Sequence, residues 1–330
     1  MDRIGVIGAG AWGTALATVA RRAGRDVILQ GREPEVVAAI GGGHGNTLFL
    51  PGVALDPAIH ATTDGAEAIA ADAVLLATRL RCWAGVAAGL AAAWRPGVPA
   101  VVCSKGIEQD TLSLMSEVVA EVLPMAPVAV LSGPSFAGEV ARDRPTAVTL
   151  AATDPSLCRQ LSEALGTPRF RIYGSDDPVG AEIGGAVKNV LAIACGIVEG
   201  RALGDNARAA LTTRGLAEIA RLGTAKGARA ETLMGLSGIG DLILTCNNIQ
   251  SRNFSLGVAL GEGAALDDVL GSRNSVAEGV FSATSVSDLA RRLDVEMPIC
   301  VAVDGILNHY ADIDATIAAL LARPFKGEAP

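Results

Sequence analysis

Two textures of hydrophobic patterning divide the chain. From residue 3 to about 173, short apolar runs rich in Val, Ile and Leu alternate with helical stretches. Beyond Tyr173 the β-branched runs give way to long Ala/Leu-rich periodicities that continue to Arg323. Apolar runs bounded by turn residues and separated by helical segments predict an α/β sheet. Residues 3–7, 26–29, 73–77, 100–103 and 128–132 are predicted strands, and 11–24, 84–93 and 113–123 predicted helices. The turn Asp176-Asp177-Pro178 is the expected boundary, giving an α/β domain over 1–177 and an all-helical domain over 178–330.

One helix beyond that boundary stands apart. EIGGAVKNVLAIACGIVE is apolar on nearly every face, the mark of a helix buried on all sides, and Lys188 is the only charge between Glu182 and Glu199. An unpaired ammonium there is costly, and burial favours the neutral amine, so Lys188 is a candidate for proton transfer. The alternative is a lysine whose stem snorkels to the surface.

The chain start supplies the next candidate. Gly8-Ala9-Gly10-Ala11-Trp12-Gly13 follows the first strand and opens a helix. In that context Gly8 permits a tight turn, Gly10 lets the backbone approach a pyrophosphate, Gly13 allows close helix–strand packing, and the helix N-terminus faces negative charge. The second strand ends in Gln30-Gly31-Arg32 where an acidic residue would grip a ribose 2′-hydroxyl. Arg32 suits a 2′-phosphate and favours NADP, while Glu33 leaves NAD open. Ligands of open α/β sheets gather at the carboxyl ends of strands. Two polar clusters fall there, Ser104-Lys105-Gly106 and Ser132-Gly133-Pro134-Ser135-Phe136, and Lys105 is a second candidate cation. The glycine-rich stretch 41–52, with His44, Asn46 and Pro51, reads as a lid over the cofactor or as a surface connection.

Two loops of the helical half add further candidates. Gly238-Ile239-Gly240-Asp241 places an aspartate near a helix start, as a functional group or as a cap. Ser251-Arg252-Asn253 offers a hydroxyl, a guanidinium fork and an amide, which suits phosphate oxygens; it also fits a turn leading into a helix. The group Val276–Val280 is too ordinary to interpret from its residues alone.

Composition then removes classes. The 330 residues are 50% hydrophobic but only 3% aromatic, with a formal net charge of -8. An acidic chain with few aromatics lacks the footprint of a nucleic-acid binder. The six cysteines are scattered without a Cys-x-x-Cys pair, and the three histidines have no ligand spacing, so no metal site is expected. No segment has about 18 uninterrupted apolar residues, so no membrane span and a cytoplasmic protein are expected. The helical half offers surfaces for a homodimer.

In order, the strings GAGAWGTALA, LPG, SKGIE, SGPSFAGEVA, PTAV, AEIGGAVKNVLAI, GLSGIGDLILTC, SRN and VAEGV resemble the motif series of bacterial NAD(P)-dependent glycerol-3-phosphate dehydrogenases, from residue 4 to about 310. The resemblance implies a Rossmann-type dinucleotide-binding domain followed by an all-helical one. It also implies reversible reduction of dihydroxyacetone phosphate to sn-glycerol 3-phosphate for glycerophospholipid synthesis. It matches Lys188 to the proton-transferring lysine. Lys105, Gly133, Ser135, Asp241, Ser251, Arg252 and Asn253 match substrate contacts. Trp12, Arg32, Lys105, Ala137, Arg252, Val276 and Glu278 match cofactor contacts, of which Ala137, Val276 and Glu278 come from the resemblance alone. Two positions depart from the family pattern: Ala77-Thr78-Arg79 stands where Val-Pro-Ser is usual, and Phe254 where a basic residue is common, at the expected rim of the phosphate site. Two other readings remain at this point, a related two-domain dehydrogenase acting on a β-hydroxyacid and a non-catalytic NAD(P)H-sensing protein.

Overall fold

The structure, a computed structural model, describes residues 1–78, 83–271 and 277–324. Arg79, Cys82, Val276 and the tail 326–330, which the sequence singles out, lie outside the described residues.

Eight strands form one sheet: β1 (Arg3–Ile7), β2 (Asp26–Gln30), β3 (Ile59–Thr62), β4 (Ala73–Leu76), β5 (Ala100–Val102), β6 (Val128–Ser132), β7 (Thr146–Ala151) and β8 (Phe170–Ser175). Their order is β3-β2-β1-β4-β5-β6-β7-β8. The first six are mutually parallel, β7 runs antiparallel to β6, and β8 is parallel to β7. Strands β4 and β5 are entirely buried and read as unbroken apolar runs, as parallel strands covered on both faces do. The sequence pattern names β1, β2, β4, β5 and β6 but not β3, β7 or β8. Both β3 and β8 are edge strands whose mixed exposure breaks up any apolar run.

The chain forms two compact units, Met1–Lys105 with Ser113–Ala181, and Gly106–Leu112 with Glu182–Pro330. The segment Gly106–Leu112 belongs to the second unit, an exchange that a single cut at 177/178 does not contain.

The helix Pro178–Gly200 begins before the predicted residue 182. Asp177 explains the earlier start, because its Oδ1 accepts the Gly180 N–H at 2.9 Å and Pro178 takes the first helical position. Every residue from Gly180 to Val198 is buried. Among the described residues this is the one helix long and apolar enough to cross a membrane, and its apolar window is wholly covered by protein. Cys103, Cys158, Cys195, Cys246 and Cys300 are free, buried thiols.

In the second unit this helix packs backbone to backbone against the helix Arg252–Gly261. A Cβ on Gly196 would collide with the Phe254 carbonyl oxygen, and one on Gly257 with the Ile193 carbonyl oxygen. Each glycine therefore admits the other helix's backbone, and a methyl group at either position forces the two apart. Gly257→Ala is expected to destabilise the protein by about 1–3 kcal/mol, the usual cost of overpacking a filled core, measured as a lower urea midpoint.

Candidate active site

In the first unit the glycine-rich turn joins β1 to the helix Ala11–Arg22. Gly8 adopts φ +107°, a left-handed conformation open to glycine, and a Cβ on Gly13 would collide with the Gly8 carbonyl oxygen. Gly10 is the extended N-cap; no side chain caps the helix and its first turn has no acidic residue. Among the described residues, its chain neighbours aside, no atom lies within 4 Å of where a Gly10 Cβ would stand. The helix thus presents N–H groups without intrahelical acceptors, and its positive dipole end, to open space, as a diphosphate requires. The Trp12 Nε1 is buried and has no hydrogen-bond partner among the described residues. This cradle fits a dinucleotide. Arg32, just past β2, donates from Nη2 to Glu33 Oε1 at 2.8 Å, and its side chain is 77% exposed. It stands in solvent-accessible space at the strand end, where a 2′-phosphate would be met.

The carboxyl ends of β5 and β6 bring Lys105, Gly133 and Ser135 together. Lys105 Nζ and Ser135 Oγ each donate to the Gly133 carbonyl oxygen at 2.9 Å. Ala137 opens the short helix Ala137–Ala141 immediately beyond. Cys103, at the end of β5, is no nucleophile: burial pushes its thiol up to about 12.

In the second unit Lys188 is 7% exposed, and its Nζ contacts Asp241 Oδ1 at 2.5 Å. It also donates to Thr245 Oγ1 at 3.0 Å, and Thr245 Oγ1 donates to the Asp241 carbonyl oxygen at 2.6 Å. The amine does not snorkel to solvent; a fully buried carboxylate balances it. Gly184, one turn before Lys188, explains how Asp241 arrives. A Cβ there would collide with the Ser237 carbonyl oxygen, so glycine lets the π-helical segment Leu236–Gly240 lie on the helix and deliver Asp241 beside the lysine. Asp241 is the first residue of the helix Asp241–Cys246, yet its carboxylate engages Lys188 rather than serving as a mere cap. The neighbouring Cys246 thiol is held up by the hydrogen bond it donates to Cys195 and by burial.

Ser251-Arg252-Asn253 is the N-terminus of the ten-residue helix Arg252–Gly261. Ser251 Oγ caps it by accepting from the Phe254 N–H at 3.2 Å. Asn253 is buried, donating from Nδ2 to Asn189 Oδ1 at 3.0 Å and accepting the Gly279 N–H at 3.0 Å. Arg252 is exposed at the head of the helix. Phe254 is 5% exposed and sits in the core, so it forms no part of a rim. Glu278, half-buried, precedes the helix Gly279–Arg292. Val276 and Arg79 belong to the residues not described.

The sequence pattern gives no sign of Thr245 as a partner of Lys188 or of Asn189 as a partner of Asn253. Thr245 lies four residues after Asp241, the spacing that puts both on one helix face, and Asn189 follows Lys188 directly. Neither spacing has meaning until the facing residue is known.

Comparisons with known proteins converge. Residues 3–158 match the model of the NAD-dependent glycerol-3-phosphate dehydrogenase N-terminus, and 177–318 that of the C-terminus. The chain is 60% identical over 326 residues to a glycerol-3-phosphate dehydrogenase (NAD(P)+) of Parvibaculum lavamentivorans, covering 99% of this chain and 98% of that one. It is also 60% identical over 329 residues to the protein of the same description from Rhodospirillum rubrum, covering 99% and 94%. A crystal structure of glycerol-3-phosphate dehydrogenase from Coxiella burnetii superposes with a TM-score of 0.94 at 38% identity, covering 98% of this chain and 99% of that one. With a dinucleotide cradle in one unit, a buried lysine–aspartate pair in the other, and family matches across both, the chain belongs to the NAD-dependent glycerol-3-phosphate dehydrogenase family.

Proposed function

We propose that this chain catalyses the reversible NAD(P)-dependent reduction of dihydroxyacetone phosphate to sn-glycerol 3-phosphate, the step that supplies glycerophospholipid synthesis. The observation that carries the reading is the buried Lys188–Asp241–Thr245 cluster, in a chain 60% identical to a relative described as a glycerol-3-phosphate dehydrogenase (NAD(P)+). The proposal extends to a cytoplasmic homodimer, with residues 1–177 holding the dinucleotide and 178–330 the substrate.

When bound, a reduced nicotinamide cofactor would supply the hydride. As hydride reaches the carbonyl carbon, negative charge builds on its oxygen, and the Lys188 ammonium donates a proton there. Asp241 and Thr245 hold Nζ in place and balance its charge, so the donor is oriented before the substrate arrives. In the reverse direction the amine takes the proton back, by microscopic reversibility. The resemblance assigns Lys105, Gly133 and Ser135 to the substrate as well, with the Lys105 charge opposing the developing oxyanion. Arg252, with Ser251 and Asn253, is assigned the phosphate. Their place at a helix N-terminus supports this, since first-turn N–H groups and a guanidinium fork both suit phosphate oxygens. A fixed phosphate end positions the carbonyl for reaction. Asn253, which donates one bond to Asn189 and accepts one from the Gly279 N–H, also ties that helix start to its neighbours. On the cofactor side, Trp12, Ala137, Arg252, Val276 and Glu278 are assigned contacts, and Arg32 favours NADPH.

The deciding assay follows loss of the reduced nicotinamide absorbance of NADPH and NADH with dihydroxyacetone phosphate and, separately, with 3-oxoacids. Turnover with the triose phosphate is the expected result. Activity confined to the oxoacids, or cofactor binding without turnover, would overturn the reading. Lys188→Ala is expected to lower kcat by about 10²–10⁴-fold, the range for losing a general acid, with cofactor affinity retained as the measure of folding. Arg252→Ala should raise the apparent KM for the triose phosphate by roughly 10–100-fold, the worth of charge-assisted hydrogen bonds to phosphate, in steady-state kinetics. For Arg32→Ala, NADPH affinity is expected to fall by about tenfold while NADH affinity stays unchanged, read by titration of each cofactor.

A further inference from the structure

We propose that Asn46 is a positioning residue for the dinucleotide: its side chain holds the Ala9 carbonyl inward and thereby aims the Gly10 N–H at the bound diphosphate. The inference rests on the dinucleotide reading of the glycine-rich turn and extends it to a residue outside that motif.

Asn46 is 1% exposed, although it lies in the loop that follows the helix Pro34–Gly43. Its Nδ2 donates to the Ala9 carbonyl oxygen at 2.8 Å and to Thr14 Oγ1 at 2.9 Å, which uses both amide protons. Its Oδ1 accepts the Phe49 N–H at 3.0 Å. The amide orientation follows from these partners, because a carbonyl oxygen on one side demands a donor and an N–H on the other demands an acceptor. Thr14 is itself fully buried on the helix Ala11–Arg22, and its hydroxyl lies 3.5 Å from the same Ala9 oxygen. Ala9, Thr14 and Asn46 therefore form a closed polar triangle beneath the turn.

The consequence comes from the planarity of the peptide bond. In a trans peptide the N–H points opposite to the C=O. With the Ala9 oxygen drawn into the protein, the Gly10 N–H of the same peptide plane faces the opposite way, at a residue whose Cβ position is clear of described atoms beyond its chain neighbours. Without the amide, the Ala9–Gly10 peptide is free to rotate, since Gly10 has no Cβ to restrict it. The same residue closes the loop above: its backbone carbonyl accepts the Leu50 N–H at 2.9 Å, and Leu50 is buried in the first unit's core. The stretch 41–52 is thus pinned under the cofactor turn at Asn46.

Because a diphosphate is common to both cofactors, the signature differs from that of Arg32. Full-length wild-type protein and Asn46→Ala would be titrated with NADH and with NADPH, then assayed with saturating cofactor. The expected result is a loss of affinity of about tenfold that is equal for the two cofactors. Maximal turnover and the KM for dihydroxyacetone phosphate should stay within about twofold, a split that simple destabilisation does not produce. Asn46→Asp, which keeps the acceptor for Phe49 but removes both donors, should show the same split and serves if the alanine variant does not fold. Cofactor affinities within about twofold of wild type in a folded variant would overturn the proposal, as would a loss confined to one cofactor. A wild-type chain that bound neither dinucleotide would overturn the reading of the turn itself.

Discussion

An ammonium group inside an apolar helix is tolerable only with a counter-charge in contact, and much of the second unit is arranged to supply one. Asp241 approaches to 2.5 Å of Lys188 because Gly184 leaves room for the π-helical segment Leu236–Gly240 against the helix surface. Thr245, one turn after Asp241, takes a second proton of the amine. Removing water from this cluster strengthens its electrostatics, and the same dryness makes every missing partner expensive. A lysine held this way is oriented before substrate arrives, and a proton donor needs that more than mobility.

Both units use one further physical device. The helices Ala11–Arg22 and Arg252–Gly261 each begin at residues assigned to phosphate-bearing ligands, and neither has an acidic residue in its first turn. They differ in how the first turn is prepared. Ser251 caps its own helix through Oγ, whereas Gly10 leaves its helix uncapped and depends on Asn46 from another loop to set the peptide before it. A protein with a formal net charge of -8 must hold anionic ligands through such local arrays, because its overall field opposes them.

The glycines of the helical unit serve geometry rather than flexibility. Gly196 and Gly257 face each other across two helices, so the backbones touch where side chains would ordinarily stand. That close approach sets the start of the Arg252 helix relative to the Lys188 helix, and Asn253 locks it by bonding Asn189 and the Gly279 N–H. Asn253 looks like a ligand residue in sequence because amides suit phosphate. In the fold its amide is largely occupied by neighbouring helices.

The sequence by itself determined the α/β character of the first unit, the helical character of the second, the cofactor turn, and Lys188 as the exceptional charge. These are local: hydrophobic periodicity, a glycine spacing between strand and helix, and one lysine in an apolar run are all legible within about 20 residues. Edge strands β3 and β8 were not, because half-exposed strands carry no unbroken apolar run. Tertiary structure alone decided that Asp241 faces Lys188, that Thr245 joins that pair, that Asn189 meets Asn253, that Phe254 turns into the core, and that Asn46 supports the turn at Ala9. Each of those depends on a partner 37 to 64 positions away or on the path of a whole helix. A side chain's type is written locally, but which neighbour satisfies it is settled only when the backbone brings the two within hydrogen-bond reach.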